Sequence, residues 1–219
     1  MYVLALNGSP RKNSTTATLL KKTLEGAASH GAETELVHLN GLSMRGCQAC
    51  FSCKKRGGRS YGRCVQKDDM TPLYEKIEQS DAFFLGSPIY FGTITAPAKV
   101  FVERLYPYLN YRDLSSNFPK EIKTGLIFTM GANDQEMILF DQHIHFTRIA
   151  FSMLFGSAET LLSTDTFHVK DHSKIVADFL ETMVDRKLKH QKEQFPRDCD
   201  KAFEMGARFV SEAATNTRR

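Results

Sequence analysis

No apolar run in this 219-residue chain approaches the roughly 20 residues that a membrane-spanning helix requires. The N-terminus opens as a strand and lacks a basic leader or cleavage-site pattern, so a soluble, cytoplasmic protein with no membrane partner is expected. A large excess of charge of one sign is missing too. The net charge is only +4, and no basic stretch interleaved with aromatics offers a nucleic-acid face. The small positive excess would tolerate anionic ligands. The dispersed cysteine pairs of a secreted disulfide scaffold are missing, since four of the five cysteines crowd between Cys47 and Cys64, which points to a reducing compartment. Internal repeats and low-complexity segments are absent. So are the two commonest nucleotide loops, Gly-x4-Gly-Lys-[Ser/Thr] and Gly-x-Gly-x-x-Gly.

What is present is an alternation of strand-like and helical patterns in a chain whose 42% hydrophobic content suffices for one generous α/β core. Strand-like runs fall at Tyr2 to Asn7, Thr34 to Leu39, Ala82 to Ser87, Thr124 to Met130 and Glu159 to Ser163. Helical spacing recurs at Ser14 to His30, Thr71 to Gln79, Ala96 to Tyr106, Met137 to Phe155, Ile175 to Gln191 and Pro196 to Ala214. That rhythm predicts a doubly wound, five-stranded parallel sheet with helices on both faces and a ligand crevice beyond the strand C-termini. The expected organisation is a single domain over 1–219, with a Cys-rich loop insertion at about 40–70 and a C-terminal helical extension at about 173–215. The insertion exceeds an ordinary βα connection. The charge-rich stretch Arg186 to Glu193 reads as a solvated helix face, and Pro196 suits the first turn of a last helix.

The first strand runs into Gly8-Ser-Pro-Arg-Lys-Asn-Ser-Thr-Thr16, a hydroxyl-rich turn that opens a helix. Backbone N–H groups and the positive end of the helix dipole converge there. Ser9, Ser14, Thr15 and Thr16 add hydroxyls, Asn13 is placed to cap the helix, and Arg11 supplies a guanidinium. This suits a monophosphate. A second loop, Gly86-Ser-Pro-Ile-Tyr-Phe-Gly92, follows the third strand. Its Pro88, Ile89, Tyr90, Phe91 and Gly92 offer apolar walls and backbone donors suited to a large flat ring.

Together these two segments resemble the NADPH-dependent FMN reductase and flavodoxin-like superfamily, and more narrowly its iron-sulfur-flavoprotein-type branch. The Cys-x2-Cys-x2-Cys insertion leading to Asp68-Asp-Met70, the stretch Ser163 to Thr166 and Phe195 to Phe203 fit as well, so the resemblance covers nearly the whole chain. It implies noncovalent FMN, reduction by NADH or NADPH, and a homodimer or homotetramer in which a neighbouring subunit covers part of the flavin. Carried over, the phosphate contacts are Ser9, Arg11, Asn13, Ser14, Thr15 and Thr16, and the ring contacts Pro88 to Gly92. Thr129, Met130 and Gly131 would form a third loop, which departs from the Gly-Gly-rich loop of many relatives. Hydride transfer to flavin N5 requires orientation more than a protein acid or base, so no catalytic residue is assigned.

Cys47, Cys50, Cys53 and Cys64 form Cys-x2-Cys-x2-Cys-x10-Cys, whose first three members have the compact spacing of a cluster-binding loop. In the resembled iron-sulfur flavoproteins such cysteines hold a 4Fe-4S cluster, with a shorter final gap. A 4Fe-4S cluster, free or redox-active thiols and a tetrahedral zinc site all stay open here, with the cluster not the favoured reading. Lys54, Lys55, Arg56, Arg59, Arg63 and Lys67 surround them, suited to thiolates, to a ribose 2'-phosphate or to solvent. His143 and His145 lie two apart on a helix, which does not suit a shared metal; packing near a flavin edge or a subunit interface is expected. Lone Cys199 reads as a small buried hydrophobe.

The function expected is an FMN-dependent NAD(P)H oxidoreductase passing electrons to a flavin, quinone or other small acceptor. The rival reading is an electron-transfer flavoprotein serving a protein partner.

Overall fold

Two-sided apolar strands organise the computed structural model, which describes residues 1–167, 176 and 178–216. In β1 (Tyr2–Asn7), Leu4 and Leu6 enter one core while Val3 and Ala5 enter another. Both faces are covered, as inside a parallel sheet. With β2 (Glu33–His38), β3 (Ala82–Tyr90), β5 (Ile122–Thr129) and β6 (Gly156–Ser163), it forms a parallel sheet in the order β2-β1-β3-β5-β6. A short β4 (Thr93–Ile94) pairs antiparallel with the end of β3.

Helices α1 (Thr15–Ser29) and α7 (Phe195–Asn216) cover the Val3/Ala5 face. Helices α2 (Met70–Gln79), α3 (Ala96–Arg104) and α4 (Asp141–Phe155) cover the other. The five parallel strands and two helical layers are those the alternation predicted. The crossing of α1 and α7 is backbone-close: a Cβ on Gly206 would lie 1.9 Å from the Thr23 carbonyl oxygen, and one on Gly26 1.9 Å from that of Phe203.

Several boundaries differ from the sequence pattern for local reasons. The third strand continues past Ser87 to Tyr90 because Ile89 and Tyr90 find partners in Ile94 and Thr93. The helix expected from Ala96 to Tyr106 stops at Arg104 and gives way to a 3-10 turn, Tyr106–Tyr108, where Pro107 has no N–H to donate. A 3-10 turn at Glu136–Phe140 precedes α4 in place of its expected first turn. The helix expected over Ile175 to Gln191 is divided into α5 (Asp178–Glu181) and α6 (Val184–Glu193), its start lying outside the described residues.

Candidate functional site

Three loops meet at the carboxyl ends of β1, β3 and β5. In the first, Asn7 accepts the Ser9 N–H through Oδ1 at 3.0 Å, and Ser9 Oγ accepts the Arg11 N–H at 3.2 Å. These local bonds stand in for secondary structure and bend the chain sharply. Ser14, not Asn13, caps α1: its Oγ accepts the Ala17 N–H at 3.2 Å. Gly8 permits the close approach of this loop to its neighbours. Its N–H donates to the Gly86 carbonyl at 2.8 Å, and a Cβ there would lie 2.8 Å from that of Ala98. Thr95, the N-cap of α3, fastens the same loop by donating from Oγ1 to the Gly8 carbonyl at 2.6 Å.

A cleft of about 1080 Å³ opens over these loops. Ser9, Arg11, Asn13, Ser14, Thr15 and Thr16 line one end, Pro88, Ile89 and Tyr90 a side wall, and Thr129, Met130 and Gly131 its edge. Thr16 and Thr129 share a buried hydrogen bond of 2.7 Å between their Oγ1 atoms, which ties the first loop to the third. Phe91 and Gly92 are placed outside the lining. They form the turn of the β3–β4 hairpin with φ of 49° and 81°, and the Phe91 side chain is fully exposed. His143 supports this hairpin from α4, its Nε2 accepting the Ile94 N–H at 3.3 Å. Burial, helped by Lys99, holds its pKa below the usual histidine value.

The sequence reading missed several lining residues. Lys21 joins the hydroxyl-lined end on the α1 face that also presents Ser14 and Thr18; the 14, 18, 21 spacing of a helical stripe was the available signal. Val184, Leu188 and Gln191 of α6, followed by Phe195, close the opposite side. Val184, Leu188 and Gln191 form a stripe at helical spacing, and the last two lie inside what read as a solvated charge run. Lys187 in that run is also buried, at 2% exposure, so the expectation of a wholly solvated face is corrected.

The cysteines gather differently. Cys47 and Cys50 are exposed, Cys64 is half-buried and Cys53 buried, yet all four line one small apolar hollow of about 20 Å³ beside Arg104, Tyr106 and Pro107. Among the described residues, no three Cys, His, Asp or Glu side chains converge closely enough to hold one metal ion. A closed zinc site needs all its sulfurs at about 2.3 Å from one point, a convergence that the four thiols do not show as they lie here. An all-thiol set spread around an apolar hollow has the donor chemistry of an iron-sulfur cluster. Burial pushes the Cys53 thiol up, whereas hydrogen bonding from Ser52 pulls Cys50 down.

The loop is pinned at both ends by one side chain. Arg104, 1% exposed, donates from Nη1 to the Arg45 carbonyl at 2.8 Å and to Asp68 Oδ2 at 2.6 Å, and from Nη2 to Asp68 Oδ1 at 3.1 Å. Of the flanking cations, Lys54 lies against the rings of Tyr106 and Tyr111 and donates to the Pro107 and Leu109 carbonyls. His145 is exposed on α4, two residues beyond His143. Cys199 packs half-buried against the α1–α7 core.

A doubly wound sheet with a hydroxyl-lined cleft across its strand ends is the architecture of a flavodoxin-like α/β protein. Residues 1–166 match the NADPH-dependent FMN reductase family, and the chain belongs to it. An iron-sulfur flavoprotein of Methanocaldococcus jannaschii is 31% identical over 157 residues, covering 70% of this chain and 75% of the relative. Another, from Archaeoglobus fulgidus, is 36% identical over 108 residues, 49% of this chain and 47% of the relative. The match thus spans about half that second protein's length. Among solved structures, an NAD(P)H:quinone oxidoreductase from Methanothermobacter marburgensis has a TM-score of 0.66 at 16% identity, covering 94% of this chain and 96% of that one. An azoreductase from Bacillus anthracis has a TM-score of 0.67 at 13% identity, with coverage of 95% and 100%. These two share the fold.

Proposed function

We propose that the chain holds FMN in the cleft and uses it to pass electrons from NADH or NADPH to a flavin, quinone or other small acceptor. The observation that carries this reading is the gathering of the hydroxyl loop, the Pro88–Tyr90 wall and the Thr129–Gly131 edge around one cleft at the strand C-termini. The fit rests on this structure: a loop braced by Asn7 and Ser9, a helix N-terminus for a dianion, and an apolar wall for a flat ring. When bound, FMN would supply the ring that accepts hydride and gives up electrons. The protein's own work is then to bind and orient. Arg11 and the α1 N-terminus would neutralise the phosphate, Ser9 and Ser14 to Thr16 would fix its direction, and Pro88 to Tyr90 would exclude water from one side of the ring. Phe91, at the exposed hairpin tip, is assigned to cover the ring from a neighbouring copy in a homo-oligomer.

The absorption spectrum of protein purified without oxygen tests this first, followed by steady-state NADPH oxidation with an added quinone. Flavin bands and turnover support the oxidoreductase. A colourless protein that also fails to take up added FMN overturns it. The four thiols around one hollow favour a second reading, an electron-transfer flavoprotein serving a protein partner. Broad brown absorption under the flavin bands, with iron and sulfide in the protein and no reduction by NAD(P)H, would select it.

A further inference from the structure

A lysine that is 98% covered demands a reason, because an ammonium loses its hydration on burial and a methionine of similar length would fill the same space without that loss. Lys187 on α6 is such a residue. Its Nζ donates to the Gly131 carbonyl at 2.6 Å, to Asp165 Oδ1 at 2.9 Å and to the Thr166 carbonyl at 3.4 Å. Asp165 does not require it for charge balance, since Arg186 already grips that carboxylate with Nε at 2.8 Å and Nη2 at 3.0 Å. What Lys187 adds is the bond to Gly131, on the edge of the flavin cleft.

Two further observations converge on the same place. Asp165 is buried with φ of 51°, a left-handed conformation that costs a non-glycine residue energy and persists where surrounding bonds over-determine it. Its N–H donates to the Ala132 carbonyl at 2.7 Å, and the Thr166 N–H to that of Met130 at 2.9 Å. With Lys187 on Gly131, three successive carbonyls of the third loop are held from the β6 side. The helix that carries Lys187 also lines the cleft through Val184, Leu188 and Gln191, and it lies beyond the family-matched residues 1–166.

We propose that Lys187 is a positioning residue of the flavin cleft: its ammonium, seated on Asp165, fixes the Gly131 carbonyl and latches α6 as a cleft wall, so that FMN stays bound rather than exchanging. The inference rests on the FMN reading above. A trans peptide points its C=O and N–H in opposite directions, so fixing the Gly131 carbonyl also fixes the Ala132 N–H. The third loop is thereby set before the ring arrives.

Titration of the protein with FMN, followed by flavin fluorescence and by the rate of FMN loss into excess apoflavodoxin, tests this in three forms: wild type, Lys187→Met, and Lys187→Met with Asp165→Asn. Losing one charged hydrogen bond to the loop predicts an FMN Kd about tenfold or more higher in Lys187→Met, expressed in faster release. The double variant also removes the carboxylate that Lys187 shares with Arg186, so any charge imbalance left by Lys187→Met is gone while the Gly131 bond is still missing, and FMN should still leak. FMN held as tightly by Lys187→Met as by wild type would overturn the inference. So would a double variant that recovers retention, because Lys187 would then serve only to balance Asp165. If Lys187→Met does not fold, the double variant decides alone by the same criterion. A wild-type protein that takes up no FMN would overturn the reading beneath, and this inference with it.

Discussion

Arg11 and Ser14 sit at the end of the cleft where the α1 dipole is positive, so their effect on a phosphate should exceed that of any residue along the apolar wall. Hydrogen bonds to a charged group contribute about 1.5 to 3 kcal/mol each. Replacing both by alanine should therefore weaken FMN binding about 100-fold or more, as read by fluorescence titration; unchanged affinity would refute the phosphate assignment. His143 makes a pH prediction. Its pKa lies below the usual 6.5 in the folded protein, because burial and Lys99 disfavour the imidazolium, so the unfolded chain binds the proton more readily. The contribution is fully present above about pH 6.5 and is lost as pH falls through 6.5 towards the folded value. A thermal midpoint that drops between pH 7.5 and 5.5, and drops less in His143→Gln, would show it. At this scale the hydroxyl loop was legible, because a capped turn between an apolar strand and an amphipathic helix is written in consecutive residues. Ser14 rather than Asn13 as cap was not, since both are good caps and only the entry angle of the chain chooses. Lys187 was hidden for another reason: its burial depends on Asp165, 22 residues earlier in the chain, and a lysine among charges carries no local sign of that.

Elements pack through features that single side chains do not announce. Where α1 crosses α7, a methyl on Gly206 would overlap the Thr23 carbonyl at 1.9 Å, and backbone cannot step aside as a flexible side chain can. Gly206→Ala should lie at the upper end of overpacking costs, about 3 kcal/mol or more. In a chain of this size that lowers the melting midpoint by roughly 6 to 12 °C, measurable by calorimetry. Arg104 is the corresponding element-scale clamp on the other face, joining α3 to both ends of the cysteine loop through Arg45 and Asp68. Removing one partner of a buried pair costs about 3 to 5 kcal/mol. Asp68 keeps some exposure, so Arg104→Met should fall near 3, and protease should cut residues 45–68 faster than in wild type. Strands β1, β3 and β5 were visible as short apolar runs because both of their faces are buried. The β3–β4 hairpin was not, because its turn places Phe91 at positive φ, a position where glycine or asparagine is the usual signal.

Over the whole molecule, two separate cores are closed by helices on both faces of the sheet, yet a band of large apolar side chains stays outside them. Ile138 and Leu139 in the turn before α4 are exposed, and so are Phe146, Ile149 and Met153 along α4 itself. The three helical members are spaced i, i+3 and i+7 and share one face, while Ile144, Phe151 and Leu154 of the same helix face the core. An amphipathic helix needs one apolar stripe to fold; this one carries two. Exposed apolar surface of that continuity marks an interaction surface, and a second copy of the chain is the occupant that the family resemblance implies. The expected outcome is an assembly whose thermal midpoint rises with protein concentration. In sedimentation velocity, Phe146→Glu with Ile149→Lys should run as a smaller species than wild type across the same concentrations. These positions lie on the solvent side of α4, so the variant should keep its own core and take up added FMN as wild type does. A wild-type chain that sediments as a monomer at every concentration would leave the second stripe without that partner, and would make coverage of the cleft the task of a single chain.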